Sequence, residues 1–193
     1  MRKGFTLIEL LIVLALISIL AGILIVVIKP QEIFARARDS QRTGDLNNVA
    51  RALDTYLADM TTNPNLSLVW PASGFSCNTQ TSFSASMTSN PPGWATATGS
   101  QVTSVTGTTS RALDGTGWVR VPLANSTLVN LPSLPLDPLN SVVGGVGYFY
   151  NFTCGSDLTY ELDAKLERNT YAMQNDGGNN PNLYEVGTNK GLY

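Results

Sequence analysis

Histidine is absent from all 193 residues. That removes the commonest general base and the commonest metal ligand, and with them any Ser-His-Asp or Cys-His arrangement. No Walker-type glycine-rich loop offers a phosphate cradle, and no closely spaced cysteine pair offers a thiolate metal site. The two cysteines are Cys77 and Cys154. Facing an oxidising compartment they pair, and closing so long a loop contributes about 4 kcal/mol in the chain-entropy model. The alternative is two separate buried thiols. Acidic pairs such as Glu161 and Asp163 alternate with apolar residues, so a strand sends both to one face, read here as a solvated surface. No set of residues suggests catalysis, and the reading is of a protein that is not an enzyme. The acid out of place is Glu9, set in a run of apolar residues.

The element that carries Glu9 spans residues 5–28, FTLIELLIVLALISILAGILIVVI. As a helix, these residues reach about 36 Å, enough to cross a hydrocarbon core of about 30 Å with some tilt. The run is too long for a signal-peptide core, and no small-residue cleavage site closes its far end. Arg2 and Lys3 hold the start in the cytoplasm and send the rest of the chain outward. Ser18 and Gly22 suit close packing of membrane helices. A carboxylate here costs about 2.5–3.5 kcal/mol at mid-membrane and less near an end. Either Glu9 reaches interfacial water, or it awaits a positive partner.

Gly4-Phe5-Thr6-Leu7-Ile8-Glu9-Leu10-Leu11-Ile12-Val13, after a basic start, resembles the prepilin signature of type IV pilins and type II secretion pseudopilins. The resemblance is strong over residues 1–60 and holds in outline beyond. It implies cleavage between Gly4 and Phe5 by a prepilin peptidase, which also methylates the new Phe5 amine. It further implies assembly through Glu9, a bacterial inner-membrane precursor crossing once, and later an extracytoplasmic filament. Expected partners are other copies of the chain, related pilins, the inner-membrane assembly platform and membrane lipid; no nucleic acid is expected. The physical chemistry agrees. Cutting removes two positive charges and exposes an amine that stays cationic with or without a methyl group. Glu9 of one subunit then meets the Phe5 amine of the next, and each buried charge neutralises the other. A head-to-tail contact of this kind builds an open helical filament.

Lys29-Pro30 follows the span. Pro30 either kinks one long helix or opens a second one; unbroken from Phe5 to Met60, the helix reaches about 84 Å. Leu46, Val49, Ala50, Leu53, Tyr56, Leu57 and Met60 recur at spacings of three and four, an apolar stripe for packing on a head domain. Arg36, Arg38, Asp39, Arg42 and Asp45 read as a solvated helix face, with salt bridges between subunits as the alternative. Thr61-Thr62-Asn63-Pro64-Asn65 ends the helix with turn formers. Residues 72–117 are rich in Ser, Thr and Gly and poor in charge, which fits a long loop, irregular strands or partial disorder. Phe75, Phe83, Trp94 and Trp118 require that part of this stretch packs. Residues 118–123 and 127–131 are short candidate strands bounded by prolines. Tyr148, Tyr150 and Phe152, then Tyr160, Leu162, Ala164 and Leu166, alternate as a hairpin with one buried face.

The expected fold is α+β. A long N-terminal helix, membrane-spanning first and amphipathic after, packs on a C-terminal antiparallel β-sheet in a pilin-like head. The expected divisions are a leader at 1–4, a transmembrane and assembly helix at 5–28, an amphipathic helix at 29–60 and a head at 61–193 with its insert at 72–117. Asn175-Asp176-Gly177-Gly178-Asn179-Asn180 is similar to the calcium loop of major pseudopilins but holds a single aspartate. Calcium prefers several charged oxygen ligands, so Asp176 is a weak candidate, a simple turn is the competing reading, and no cofactor is expected otherwise. Asn65, Asn125 and Asn151 stand in glycosylation-type triplets, best explained by chance. A net charge of −2, with charged residues at 13%, about half the usual share, argues against nucleic-acid binding. A second reading is a membrane-tethered surface-binding or adhesion module, or a minor pilin, including one for DNA uptake, whose Ser/Thr-rich insert touches surfaces or sugars.

Overall fold

The computed structural model describes residues 4–63, 69–96 and 100–193. Arg2 and Lys3, the Pro64-Asn65 turn and the Asn65 triplet lie outside the described residues. Helix α1, Leu7–Ile28, and helix α2, Pro30–Thr62, are separated by a single residue. Lys29 there takes a left-handed conformation with φ 45° and ψ 71°. Proline disfavours the α-helical region for the residue before it, and its missing N–H costs nothing at a first helical position. The helix therefore stops at Ile28 and restarts on Pro30, so of the two arrangements the interrupted one is found. The lengths correspond to about 33 and 50 Å.

The predicted stripe of α2 is the core face: Leu46, Val49, Ala50, Leu53 and Tyr56 are buried, and Leu57 and Met60 pack at its margin. They meet a five-stranded sheet ordered β2-β1-β5-β6-β7. Its strands are β1 (Gln80–Phe83), β2 (Ser104–Gly107), β5 (Tyr150–Cys154), β6 (Tyr160–Ala164) and β7 (Tyr184–Gly187). Pairing is antiparallel except between β1 and β2. Strands β3 (Ser141–Val143) and β4 (Val146–Tyr148) form a separate hairpin, and a short helix α3 covers Thr170–Gln174. The predicted hairpin is β5–β6, in register Tyr150 to Ala164, Phe152 to Leu162 and Cys154 to Tyr160. These six side chains share the face that α2 covers.

The other face departs from expectation. Every residue of β5 and β6 is buried, including Glu161 and Asp163, which the alternation had assigned to solvent. A second layer covers them: Phe83, Trp94, Phe149, Leu183 and Tyr193 form their own apolar cluster. The edge-to-face rings Phe83–Trp94, Phe83–Tyr193 and Trp94–Tyr193 lie 5.2–6.1 Å apart. The insert thus contributes two sheet strands and, through Phe83 and Trp94, part of the aromatic lid of the far face. Asn151, in a glycosylation-type triplet, is fully buried in β5.

Residues 118–131 form no strand; they run as bends and a 3-10 turn at Leu123–Asn125. Trp118, Val119, Val121 and Leu123 are all buried, a spacing that alternation does not produce. Pro122 also lacks the N–H that a ladder needs. The segment packs as irregular core, tied by Trp118 Nε1 donating to the Pro135 carbonyl at 2.8 Å. Cys77 and Cys154 form a disulfide, joining the start of the insert to the end of β5.

The charged stretch of α2 is likewise not a solvated face. Arg42 is fully buried and Asp39 nearly so. Arg42 grips Asp137 with two hydrogen bonds of 2.6 and 3.0 Å, and reaches Asp39 at 2.9 Å and Glu167 at 2.8 Å. Arg38 makes a second two-bond pair with Glu167 at 2.6 and 2.7 Å. Asp39 accepts from the backbone N–H groups of Glu167, Arg168 and Asn169. Burial works against the charge of Arg42, but its hydrogen bonds to Asp137 and Glu167 and their charges outweigh it and raise its pKa. These ion pairs lie within one chain and lock α2 to the loops after β6 and before β3. Arg36 alone of the basic group is fully on the surface.

Candidate processing and assembly site

Residues 4–6 precede α1 without helical structure. Phe5 is 90% exposed, so the Gly4–Phe5 bond lies in accessible chain, free of helix hydrogen bonding. Thr6, extended at φ −81° and ψ 153°, is the N-cap of α1. Its hydroxyl oxygen accepts from the Glu9 backbone N–H at 3.4 Å. Glu9 Oε2 accepts in return from the Thr6 backbone N–H and hydroxyl, both at 2.8 Å. This is a capping box, in which two otherwise orphaned N–H donors are satisfied reciprocally. Its sequence signal, a threonine followed three residues later by glutamate, is legible in Thr6 and Glu9, although the apolar run alone does not point to Thr6.

The geometry gives Glu9 a defined place. It sits in the first turn, where a carboxylate is favoured by the helix dipole, four residues after Phe5. Both hydrogen bonds fall on Oε2, and among the described residues nothing donates to Oε1. Beyond it, α1 buries none of its residues. Leu10, Leu11, Leu14, Ile17, Ile23 and Leu24 each stay more than half exposed. The helix is long and apolar enough to cross a membrane. Ser18 returns its hydroxyl to the Leu14 carbonyl at 2.8 Å, which hides its polarity in such a setting.

Asp176 is placed otherwise. Its Oδ1 accepts from the Gly178 N–H and its Oδ2 from the Glu185 N–H, each at 2.8 Å. The carboxylate closes a turn onto β7, at φ +83° for Gly177, a conformation that glycine adopts without strain. Asp176 lies far along the chain from the N-terminal site and belongs to the head.

An apolar, wholly exposed helix with a capped carboxylate at its start is joined to an α+β head of pilin-like architecture, an arrangement that fits membrane anchoring. A family model described as the prokaryotic N-terminal methylation motif matches residues 1–25; the chain carries the type IV pilin and pseudopilin signature. No curated protein and no solved structure matches it. Proteins with this signature are structural rather than enzymatic, and the signature implies prepilin peptidase processing and assembly with pilins.

Proposed function

We propose that the chain is a structural subunit of a type IV pilus-like or pseudopilus filament of the bacterial cell envelope. Prepilin peptidase cuts between Gly4 and Phe5 and methylates the Phe5 amine. The subunit waits in the inner membrane as a single-pass protein, its N-terminus in the cytoplasm and its head outside. It then polymerises through α1. The observation that carries this reading is α1 itself: a helix of 22 residues with no buried side chain and one carboxylate, in its first turn. An isolated soluble head has no use for such a surface, whereas lipid first and neighbouring copies of α1 later would both cover it.

Glu9 supplies the register. Packed among other copies of α1, a bare carboxylate loses its hydration, and an unpaired buried charge costs about 3–5 kcal/mol. The cationic Phe5 amine of an adjacent subunit relieves that cost, and the uncut precursor has no such amine. Mass spectrometry of the chain purified from a host with prepilin peptidase, and from one lacking it, tests the processing step. Loss of residues 1–4 with gain of one methyl group, only in the first host, supports the reading. An intact N-terminus in both hosts contradicts it.

A further inference from the structure

Strands β6 and β7 hold a group of carboxylates that assembly through α1 does not use. Glu161 and Asp163 project from the same face of β6, and Asp163 stands opposite Glu185 of β7. All three residues are at most 1% exposed. One carboxylate oxygen from each lies within 4.8 Å of the others. Among the described residues no lysine or arginine forms an ion pair with any of them; the salt bridges all belong to Arg38 and Arg42.

Each carboxylate is fixed by its surroundings. Glu161 Oε2 accepts from the N–H groups of Leu192 and Tyr193 at 2.5 and 2.8 Å. Asp163 Oδ2 accepts from Asn151 Nδ2 at 2.8 Å. Glu185 accepts from the N–H groups of Asn179 and Asn180 at 3.3 and 3.0 Å. Gly178 lies so close to the Glu185 carboxylate that a Cβ there would collide with it. Yet Glu161 Oε1, Asp163 Oδ1 and the Tyr193 hydroxyl are buried with no hydrogen-bond partner. Buried polar atoms of native proteins are almost always partnered, and three carboxylates in one dry space are untenable without a positive charge or protons.

The donors are all hard oxygens, with no nitrogen or sulfur ligand among them, which selects calcium-type ions over zinc or copper. Two oxygens each about 2.4 Å from one calcium ion stand at most about 4.8 Å apart, and these three carboxylates offer oxygens within 4.8 Å of one another. We propose that Glu161, Asp163 and Glu185 form a divalent-cation site, calcium by its donor set, that ties β6, β7 and residues 192–193 together. The site is on the sheet and not in the Asp176 loop, whose carboxylate is spent on its own turn and on the Glu185 N–H. The loop positions Glu185; it does not ligate.

The test uses the detergent-solubilised full chain, stripped with EDTA and then dialysed against calcium chloride at neutral pH. The wild type retains a single calcium ion per chain. At a hundredfold excess over the dissociation constant it melts about 5–10 °C higher than in EDTA. Asp163→Asn keeps the shape and the Asn151 contact but removes one charge. It abolishes calcium retention and the calcium-dependent shift, and in EDTA it melts above the wild type because a buried repulsion is gone. Calcium retention by Asp163→Asn equal to the wild type overturns the site. So does a wild type that retains no calcium and whose melting is indifferent to it, a result that stands even if the variant fails to fold.

Discussion

Replacing Arg42 with methionine keeps much of the side-chain volume and removes the charge at the centre of the buried network. Asp137 and Asp39, both nearly inaccessible, then lose the cation that holds them. Glu167 keeps only Arg38. Breaking a buried ion network by deleting one partner costs about 3–5 kcal/mol. For a domain of this size each kcal/mol moves the melting temperature by about 2–4 °C, so Arg42→Met lowers it by about 6–20 °C. Arg42→Lys recovers little, because a compact ammonium cannot bond Asp137 with two parallel N–H groups while reaching Asp39 and Glu167. The double variant Arg42→Met with Asp137→Asn recovers part of the loss by removing the stranded charge. Arg36→Met on the exposed side of the same helix shifts melting by about 1–2 °C at most. Thermal denaturation of the full chain in detergent, followed by circular dichroism, measures all four. Equal melting for Arg42→Met and Arg36→Met refutes the reasoning and returns this stretch to the solvated face that the sequence pattern suggests.

Acidification is a gentler probe of the same network. The hydrogen bond from Arg38 first, and Arg42 in addition, holds the Glu167 carboxyl below its ordinary 4.5. Its contribution is therefore complete above about pH 4.5 and is lost as pH falls through the lowered value; Glu167→Gln flattens that part of the stability profile in pH-dependent melts. The Cys77–Cys154 bond spans 77 residues, so Cys77→Ser with Cys154→Ser costs about 4.5 kcal/mol in the chain-entropy model, read as a lower denaturant midpoint. Phe152 is fully buried between Trp70 and Phe75, at ring distances of 6.4 and 6.0 Å; Phe152→Ala costs about 3–5 kcal/mol in the same denaturation assay.

The long-range features divide by how local their causes are. The two helical stretches and the core stripe of α2 follow from periodicity and are legible in the chain; Pro30 marks the place of the break but leaves a kink and a restart equally open. The β5–β6 hairpin is legible for the same reason. What the alternation cannot say is whether a sheet face meets water or a second layer. The residues that cover Glu161 and Asp163 are scattered from Phe83 to Tyr193, and Phe83 and Trp94 lie in an insert whose composition resembles a loop. The Arg42 network is equally hidden: its partners Asp137 and Glu167 lie 95 and 125 residues away, and charged residues on a helix ordinarily face solvent. Residues 118–131 have strand-like composition but bury residues that alternation would expose. At the N-terminus nearly everything is local. The Thr6–Glu9 capping box needs three residues of separation, and the anomaly of Glu9 is visible in the apolar run alone.

On the proposed function, Glu9 serves assembly and not membrane insertion. Glu9→Leu extends the apolar run, so the variant is expected to enter the membrane fraction and to be cut after Gly4 as the wild type is. The measurement is the amount of the chain recovered in sheared or affinity-purified filaments, relative to its membrane pool. The Glu9→Leu chain is expected to accumulate, processed, in the membrane and to be depleted from filaments. Filament incorporation at the wild-type level would contradict it.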